Sequence, residues 1–277
     1  MNAAIEKGFE FSDRDFRFIR TMVSEKTGIE LAEHKKNMVY SRLVRRIRTL
    51  NIGGFREYCE ILSSDSSGSE LINFVNAITT NVTRFFREEH HFHYLRDVVV
   101  KELTEQKPEK IRIWSAGCSV GMEAYSIAMT MLSAMPELAY KDFKILATDI
   151  DTEVLGKGAA ATYPSEVLKD IPQEYHRKYL ETSDDGETVT VTDELRKFVT
   201  FKRMNFLDHW PVKGQFQVIF CRNVVIYFNK EVQRAIFDKF ADRMVDNGCL
   251  CIGHSENLFN VSTRFRSVGT TIYRKIA

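Results

Sequence analysis

The sequence predicts an α/β domain, a doubly wound parallel sheet with a small antiparallel β insert, preceded by an all-helical N-terminal domain. Three observations carry that prediction. Residues 1 to about 92 repeat apolar positions at helical spacing. From about residue 108, short apolar β-rich runs alternate with helical stretches, the pattern of a parallel sheet covered on both faces. KYLETSDDGETVTV, 178–191, sets Asp185-Gly186 between two strand-like runs, a hairpin signal. The expected boundaries are 1–92 for the helical domain, with a linker to about 107, and 108–277 for the α/β domain, with the insert at about 171–197.

In the helical part, Ser12 and Asp15 have the spacing of a capping box, and Phe16, Ile19 and Val23 follow as an apolar stripe that Gly28 ends. A second helix is expected from about Glu33 to Leu50, buried along Val39, Leu43, Ile47 and Leu50. Lys35, Arg42 and Arg46 fall on an adjacent strip of it, with Arg45 beside them. Asn51-Ile52-Gly53-Gly54 breaks the pattern, SSDSSGS (63–69) reads as a loop, and Glu70 to Ile78 as a further helix. In the α/β part the strand runs are IRIW (111–114), FKILAT (143–148), FVTFKR (198–203), FQVIFC (216–221), CLCIG (249–253) and TTIYRKI (270–276). Helical patterns lie at 121–135, 151–160 and 229–245.

The chain has 277 residues, enough for one or two domains with a sizeable core. A net charge of +1 excludes a bulk polyanion binder, so any basic function is local. MNAAIEKGFEFSDRDF has no apolar leader, and no apolar run reaches the ~18 residues of a membrane span, so a cytoplasmic protein without membrane insertion is expected. The five cysteines, Cys59, Cys118, Cys221, Cys249 and Cys251, are odd in number and irregular in spacing, which reads as free thiols in a reducing compartment.

In an open α/β sheet the ligand crevice lies at the carboxyl ends of the strands. After IRIW comes SAGCSVGMEAYSIAM, where Gly117 and Gly121 frame a turn into a helix without the lysine of a phosphate loop. Glu123 would repel a pyrophosphate but accept from an amine or ribose hydroxyls, which favours a nucleoside without phosphates. After FKILAT come Asp149, placed for ribose hydroxyls, and Asp151, the better helix cap. After FVTFKR comes Asn205-Phe206, with Phe206 able to cover an adenine face. After VIFC comes Arg222-Asn223, a polar break where the strand leaves the core, and Tyr227 can point back. Ahead of the domain, Asn81, Thr83 and Arg87 stand beside Phe85 and Phe86. His90, His91 and His93 do not share one helix face, so no metal is expected. HSE (254–256) lacks a nucleophile elbow and reads as the end of a strand. Two rival readings remain: a haloacid-dehalogenase-like phosphatase using Asp149-x-Asp151, and a binding module whose arginines at 42–48 meet nucleic acid without the aromatic interleaving that single strands require.

NVTRFFRE, WSAGCSVGMEAYSIAM, ATDID, VIFCRNVVIYF and GHSE together resemble the chemotaxis receptor methyltransferases, the CheR family, in family order over about residues 10–275. Gly117, Met122 and Ala124 stand where that family more often has Ala, Glu and Pro, and Phe206 where Leu is usual; none removes a polar ligand. The resemblance implies a class I methyltransferase domain that binds S-adenosylmethionine and releases S-adenosylhomocysteine. It implies cofactor contacts from Asn81, Thr83, Arg87, Glu123, Asp149, Asn205, Phe206, Arg222 and Asn223, and no metal. The reaction it implies is O-methylation of glutamate side chains on bacterial chemoreceptors. Arg87 would contact either the cofactor carboxylate or the acceptor glutamate, with Tyr227 lining the same pocket. Lys35, Arg42, Arg45 and Arg46 would steer onto glutamate-rich receptor helices, and the hairpin could dock a receptor's C-terminal peptide. A monomer recruited to membrane receptor arrays, with no nucleic-acid partner, completes the expectation.

Overall fold

Ser12 opens the first helix with both halves of the expected capping box: its hydroxyl accepts from the Asp15 amide at 3.2 Å and the Asp15 carboxylate accepts from the Ser12 amide at 3.0 Å. A computed structural model describes residues 8–276; residues 1–7, part of the stretch read as lacking a leader, lie outside the described residues. The chain divides into two compact units, Met1–Thr80 and Asn81–Ala277.

The first unit holds α1 (Asp13–Thr27), a 3-10 turn at Glu33–Lys35, α2 (Lys36–Leu50), α3 (Phe55–Ser64) and α4 (Ser69–Ile78). Gly28 ends α1 at φ 76° and Asn51 ends α2 at φ 52°, the left-handed conformation that glycine and asparagine tolerate best. Phe16, Ile19, Val23, Val39, Leu43 and Ile47 are buried as their spacing requires, together with Phe55, Tyr58 and Phe74. Helix α3 was not read from the sequence, because it is only ten residues long between two breaker stretches. The basic strip of α2 is divided by structure. Arg46 donates to both oxygens of Glu70, at 3.1 and 2.6 Å, and Glu70 also accepts from the Tyr58 hydroxyl at 2.9 Å. Arg42 donates to the carbonyls of Ile78 and Thr79 and to the Thr80 hydroxyl, closing the end of α4. Lys35 and Arg45 are exposed.

The second unit is built on ten strands: β1 (Lys110–Ala116), β2 (Asp142–Asp149), β3 (Thr162–Pro164), β4 (Leu180–Thr182), β5 (Thr188–Val191), β6 (Val199–Arg203), β7 (Phe216–Cys221), β8 (Met244–Ile252), β9 (Phe265–Gly269) and β10 (Ile272–Lys275). Seven form one sheet in the order β6-β2-β1-β7-β8-β10-β9, and β3-β5-β4 form a small antiparallel sheet. The pairs β6-β2, β2-β1, β1-β7 and β7-β8 are parallel, while β10 runs antiparallel to both of its neighbours. The order reverses between β1 and β7, the switch point where a crevice opens in such sheets. The helices are α5 (His90–Tyr94), continued through a π turn (Leu95–Val99) into α6 (Val100–Gln106), then α7 (Met122–Ala134), α8 (Thr152–Ala160), α9 (Gln173–Tyr179), α10 (Asp193–Arg196) and α11 (Lys230–Asp242).

Strand alternation sorts the core into two layers. Ile113, Ile145, Val218, Phe220, Cys249 and Cys251 face one layer, and Trp114, Ala116, Ile219, Cys221, Leu250 and Ile252 face the other. The first layer is covered by α7 and by Phe85, Phe86, Phe92, Leu95, Val99 and Leu103. The second is covered by Ile236, Phe237 and Phe240 of α11. The boundary expected near residue 92 therefore lies twelve residues earlier, at Thr80/Asn81. The sequence reading puts 81–92 in the helical domain and the residues from there to about 107 in a linker, whereas the apolar side chains of 81–106 pack on the sheet. The small insert starts earlier than expected, at β3, and β3 and β9 were too short or too polar to read. Free thiols agree with expectation: all five cysteines are unpaired and four are buried.

Candidate functional site

Three hydrogen-bonded groups of side chains collect at the carboxyl ends of the parallel strands. The first surrounds the ends of β1 and β2. The Asp149 carboxylate accepts from the Ser119 amide at 2.8 Å and the Asp151 amide at 3.1 Å. Asp151 caps α8 by accepting from the Glu153 and Val154 amides, and its other oxygen accepts from Asn81 Nδ2 at 2.7 Å. Ser119 Oγ donates to the Asn81 carbonyl at 2.9 Å, so the 81–88 segment is tied to the β1 turn. Asp151 is 2% exposed and committed to these bonds, so Asp149 and Asp151 do not form a paired phosphatase site. Burial pushes the Asp149 carboxyl up against the pull of the backbone amides it binds.

The second group explains why an arginine follows the buried run Val218–Cys221. Arg222 is 6% exposed, and its guanidinium donates to Glu123 Oε2 at 3.1 Å and to the Arg87 carbonyl. Glu88 Oε2 lies 3.6 Å away on the same guanidinium, which also sits over the Phe92 ring at 5.8 Å. Glu123 accepts in addition from Ser115 Oγ at 2.7 Å. Burial pushes the Glu123 carboxyl up, against Arg222. Glu88 is likewise raised by burial, but Arg222 and His254 outweigh this and hold it below the usual range. Arg222 and Glu123, both read as cofactor contacts, thus spend much of their hydrogen bonding on each other; they form the charged floor that joins β1, α7 and the β7 loop.

The third group is the pair of loops after β7 and β8. Asn223 adopts φ 59°, and its Oδ1 is buried with no hydrogen-bond partner. The Glu256 carboxylate accepts from the amides of Asn223, Val224, Val225 and Gly253. Sequence reading took HSE for a strand end and missed Glu256. The available signal was a glutamate just past the apolar run Cys249–Ile252, which must find donors if buried.

The remaining predicted residues are placed as follows. Arg87 is half-buried and donates to the Val82 carbonyl at 3.1 Å. Thr83 and Tyr227 are half-buried, Tyr227 at the end of a 3-10 turn, Val225–Tyr227. Asn205 caps its own loop by accepting from the Leu207 amide at 3.1 Å, and the Met204 amide donates to the Asp149 carbonyl at 2.9 Å. The Phe206 ring is 8% exposed, packed among Trp210, Phe228 and Phe240 with centroids 5.7 to 6.4 Å away. Lys35, Arg42, Arg45 and Arg46 belong to the other unit. Of the histidines, His93 is exposed, but His90 and His91 share a cluster with Glu88 whose ligand atoms lie within 4.8 Å of one another. The Arg222 guanidinium already supplies the cation beside Glu88, and the His91 Nε2 is engaged by the Thr271 hydroxyl at 2.9 Å.

The backbone at this end of the sheet is held in uncommon conformations. Phe86, Glu88 and Ser119 have φ between 50° and 58°, which is unfavourable for most side chains with a Cβ, and Asn223 has φ 59°, which asparagine tolerates. Gly117 has φ 84°, and a Cβ there would stand 2.3 Å from Val224 Cγ2, so the β1 turn and the β7 loop approach each other as only glycine allows. These residues fit a nucleoside cofactor bearing an amine and hydroxyls: a carboxylate at the end of β2, a glycine turn without a lysine, and an asparagine oxygen lacking a donor.

The chain resembles known proteins along nearly its whole length. Residues 81–274 match the family model described as CheR methyltransferase, SAM binding domain, and residues 14–79 match the CheR methyltransferase, all-alpha domain. The chain is 43% identical to a probable chemotaxis protein methyltransferase of Rhizobium etli, covering 91% of this chain and 96% of that one. It is 40% identical to chemotaxis protein methyltransferase 2 of Pseudomonas aeruginosa, covering 96% and 94%. It is also 40% identical to the chemotaxis protein methyltransferase of Escherichia coli, covering 95% and 91%.

Proposed function

The chain belongs to the CheR methyltransferase family, an S-adenosylmethionine-dependent enzyme of chemotaxis, and on that premise we propose that its acceptors are glutamate side-chain carboxylates of chemoreceptors. The observation that supports this best is the meeting of loops at the carboxyl ends of β1, β2 and β7, where the turn after β1 is bound to Asp149 and to the Asn81 backbone, and Arg222 binds the Arg87 carbonyl. A glutamate with a pKa of ~4.3 is already ionised at neutral pH, so alignment and removal of water suffice. Bound S-adenosylmethionine supplies a methyl group on a sulfonium, a good leaving group. Asp149 holds ribose hydroxyls, Asn223 Oδ1 accepts from the amine, and Gly117 lets the backbone approach. Thr83 and Asn205 complete the wall. Arg87 takes a carboxylate, that of the cofactor or of the acceptor, and Tyr227 lines the acceptor side.

Arg87→Ala separates its two roles. A rise in KM for S-adenosylmethionine with matching loss of S-adenosylhomocysteine binding assigns Arg87 to the cofactor; a rise in KM for receptor alone assigns it to the acceptor. Unchanged binding and turnover would remove Arg87 from the site.

The exposed pair Lys35 and Arg45 is the part of the basic strip left to meet acidic receptor helices. Receptor methylation should then weaken more with salt than S-adenosylhomocysteine binding does; equal salt sensitivity would contradict this role. In the insert, β3 and β4 are the edges of the small sheet, and an added receptor peptide strand would pair there. The reading is of a cytoplasmic monomer recruited to receptor arrays through its substrate. Among the described residues no helix is long and apolar enough to cross a membrane.

A further inference from the structure

We propose that Glu256 is a positioning residue for the cofactor: it fixes the backbone of Asn223–Val225 and thereby the Asn223 side chain. This rests on the assignment of Asn223 to the cofactor. The chain turns after β8, with the Glu256 amide donating to the Gly253 carbonyl at 2.9 Å, and the turn carries the carboxylate under the neighbouring loop. Oε1 accepts from the Val224 amide at 2.9 Å and the Val225 amide at 3.0 Å; Oε2 accepts from the Asn223 amide at 3.0 Å and from the Gly253 amide. The side chain belongs to a residue 6% exposed, and no cation forms an ion pair with it among the described residues.

Successive backbone N–H groups converging on one point make a concave anion site. Here the anion comes from the protein itself, so the loop is closed to a ligand phosphate and locked in shape. The locked shape leaves a polar atom unsatisfied: Asn223 stands at φ 59°, which an asparagine tolerates, but its Oδ1 is buried without a partner among the described residues. Its carboxamide lies so close to Gly253 that a Cβ at 253 would be 2.6 Å from Nδ2. A loop free to relax would rotate Asn223 until that oxygen found a donor. The three charge-assisted bonds from the Asn223, Val224 and Val225 amides to Glu256 hold the loop against this and leave Asn223 Oδ1 an unsatisfied acceptor. Gly253 and Glu256 thus form a unit with Asn223: the glycine gives it room and the glutamate holds it there. The Glu256 oxygens are taken up by backbone amides, so its effect reaches the cofactor through the loop it holds, and through Asn223 foremost.

The test is a double-mutant cycle read by calorimetric binding of S-adenosylhomocysteine. Glu256→Gln keeps the size of the side chain but turns an amide NH2 toward backbone N–H groups. Glu256→Gln and Asn223→Ala should each weaken binding about tenfold. The double variant should bind about as weakly as the weaker single variant. Steady-state kinetics of Glu256→Gln should show a raised KM for S-adenosylmethionine with little change in kcat or in KM for the acceptor. A purely structural role would instead lower the melting temperature and leave the two substitutions multiplicative. Multiplicative losses, or wild-type binding by Glu256→Gln, would overturn the proposal. Wild-type binding by Asn223→Ala would remove Asn223 from the cofactor site and the proposal with it. If Glu256→Gln does not fold, Glu256→Asp takes its place in the cycle, since it retains the carboxylate but withdraws it from the loop.

Discussion

Arg222 follows a strand with no exposed residue, and it is tolerated there because Glu123, Glu88 and the Arg87 carbonyl neutralise and bind it from three directions. The sequence marked the position as unusual, but not the answer, since the partners lie 99 and 134 residues away in the chain. The same holds for His91. Its Nδ1 faces Glu88 Oε2 at 3.8 Å, and His90 and Arg222 lie on its other sides. Burial first, and then the charge of Arg222, lower its pKa from 6.5 to about 3. The native ring therefore stays neutral down to about pH 3, while the unfolded chain takes up a proton near 6.5. The contribution of a neutral His91 is complete above pH 6.5 and is lost as pH falls toward 3. Glu123, Asp149 and Glu256, all pushed up by burial, act in the opposite sense, so the comparison must be with a variant rather than across pH alone. His91→Gln should flatten the fall of urea-unfolding stability between pH 6.5 and 5 by up to ~1.4 kcal/mol per pH unit. Parallel profiles for the two proteins would mean that His91 titrates normally.

Strands β1, β2 and β7 were legible because each carries an apolar run, and β7 matched its expected limits of 216–221; β6 shows only the alternation of Val199 and Phe201 with polar residues. Strand β9 was not, because only Phe265 of its five residues is buried, so it lacks the apolar text of a strand. Strand β3 has three residues and α3 stands between two breaker segments. The turn between β1 and α7 was read as a weak glycine pattern; the structure gives Gly117 a steric reason that no pattern contained, the approach of Val224 from a loop more than a hundred residues on. Gly117→Ala should weaken S-adenosylhomocysteine binding at least about tenfold and cost ~1–3 kcal/mol of stability from backbone strain and collision with Val224. Gly214 is the control. It has φ 88° but open space around it, so Gly214→Ala should cost strain alone and leave binding unchanged. Equal effects on binding from the two substitutions would mean that the Gly117 approach does not shape the crevice.

For the chain as a whole, two domains were expected and two units are present, but 81–106 belongs with the sheet. Its first part was read with the helices and its second as a linker, because local spacing does not identify the surface a segment packs on. This matters for function, since the 81–88 segment, with Asn81 bound to Asp151 and Ser119 and Glu88 beside Arg222, is part of the α/β unit itself. The basic strip of α2 shows the opposite case: four cations read as one surface feature divide into Arg42 and Arg46, which hold the helical unit together, and Lys35 and Arg45, which face solvent. What remains to be measured is the reaction. Purified protein, methyl-labelled S-adenosylmethionine and a chemoreceptor cytoplasmic fragment, with and without its C-terminal residues, should give label on the fragment that mild base releases as a volatile product, the mark of a carboxyl methyl ester. Label without base lability would place the methyl on another acceptor atom. No label on either fragment, with no binding of S-adenosylhomocysteine, would contradict the cofactor site described here.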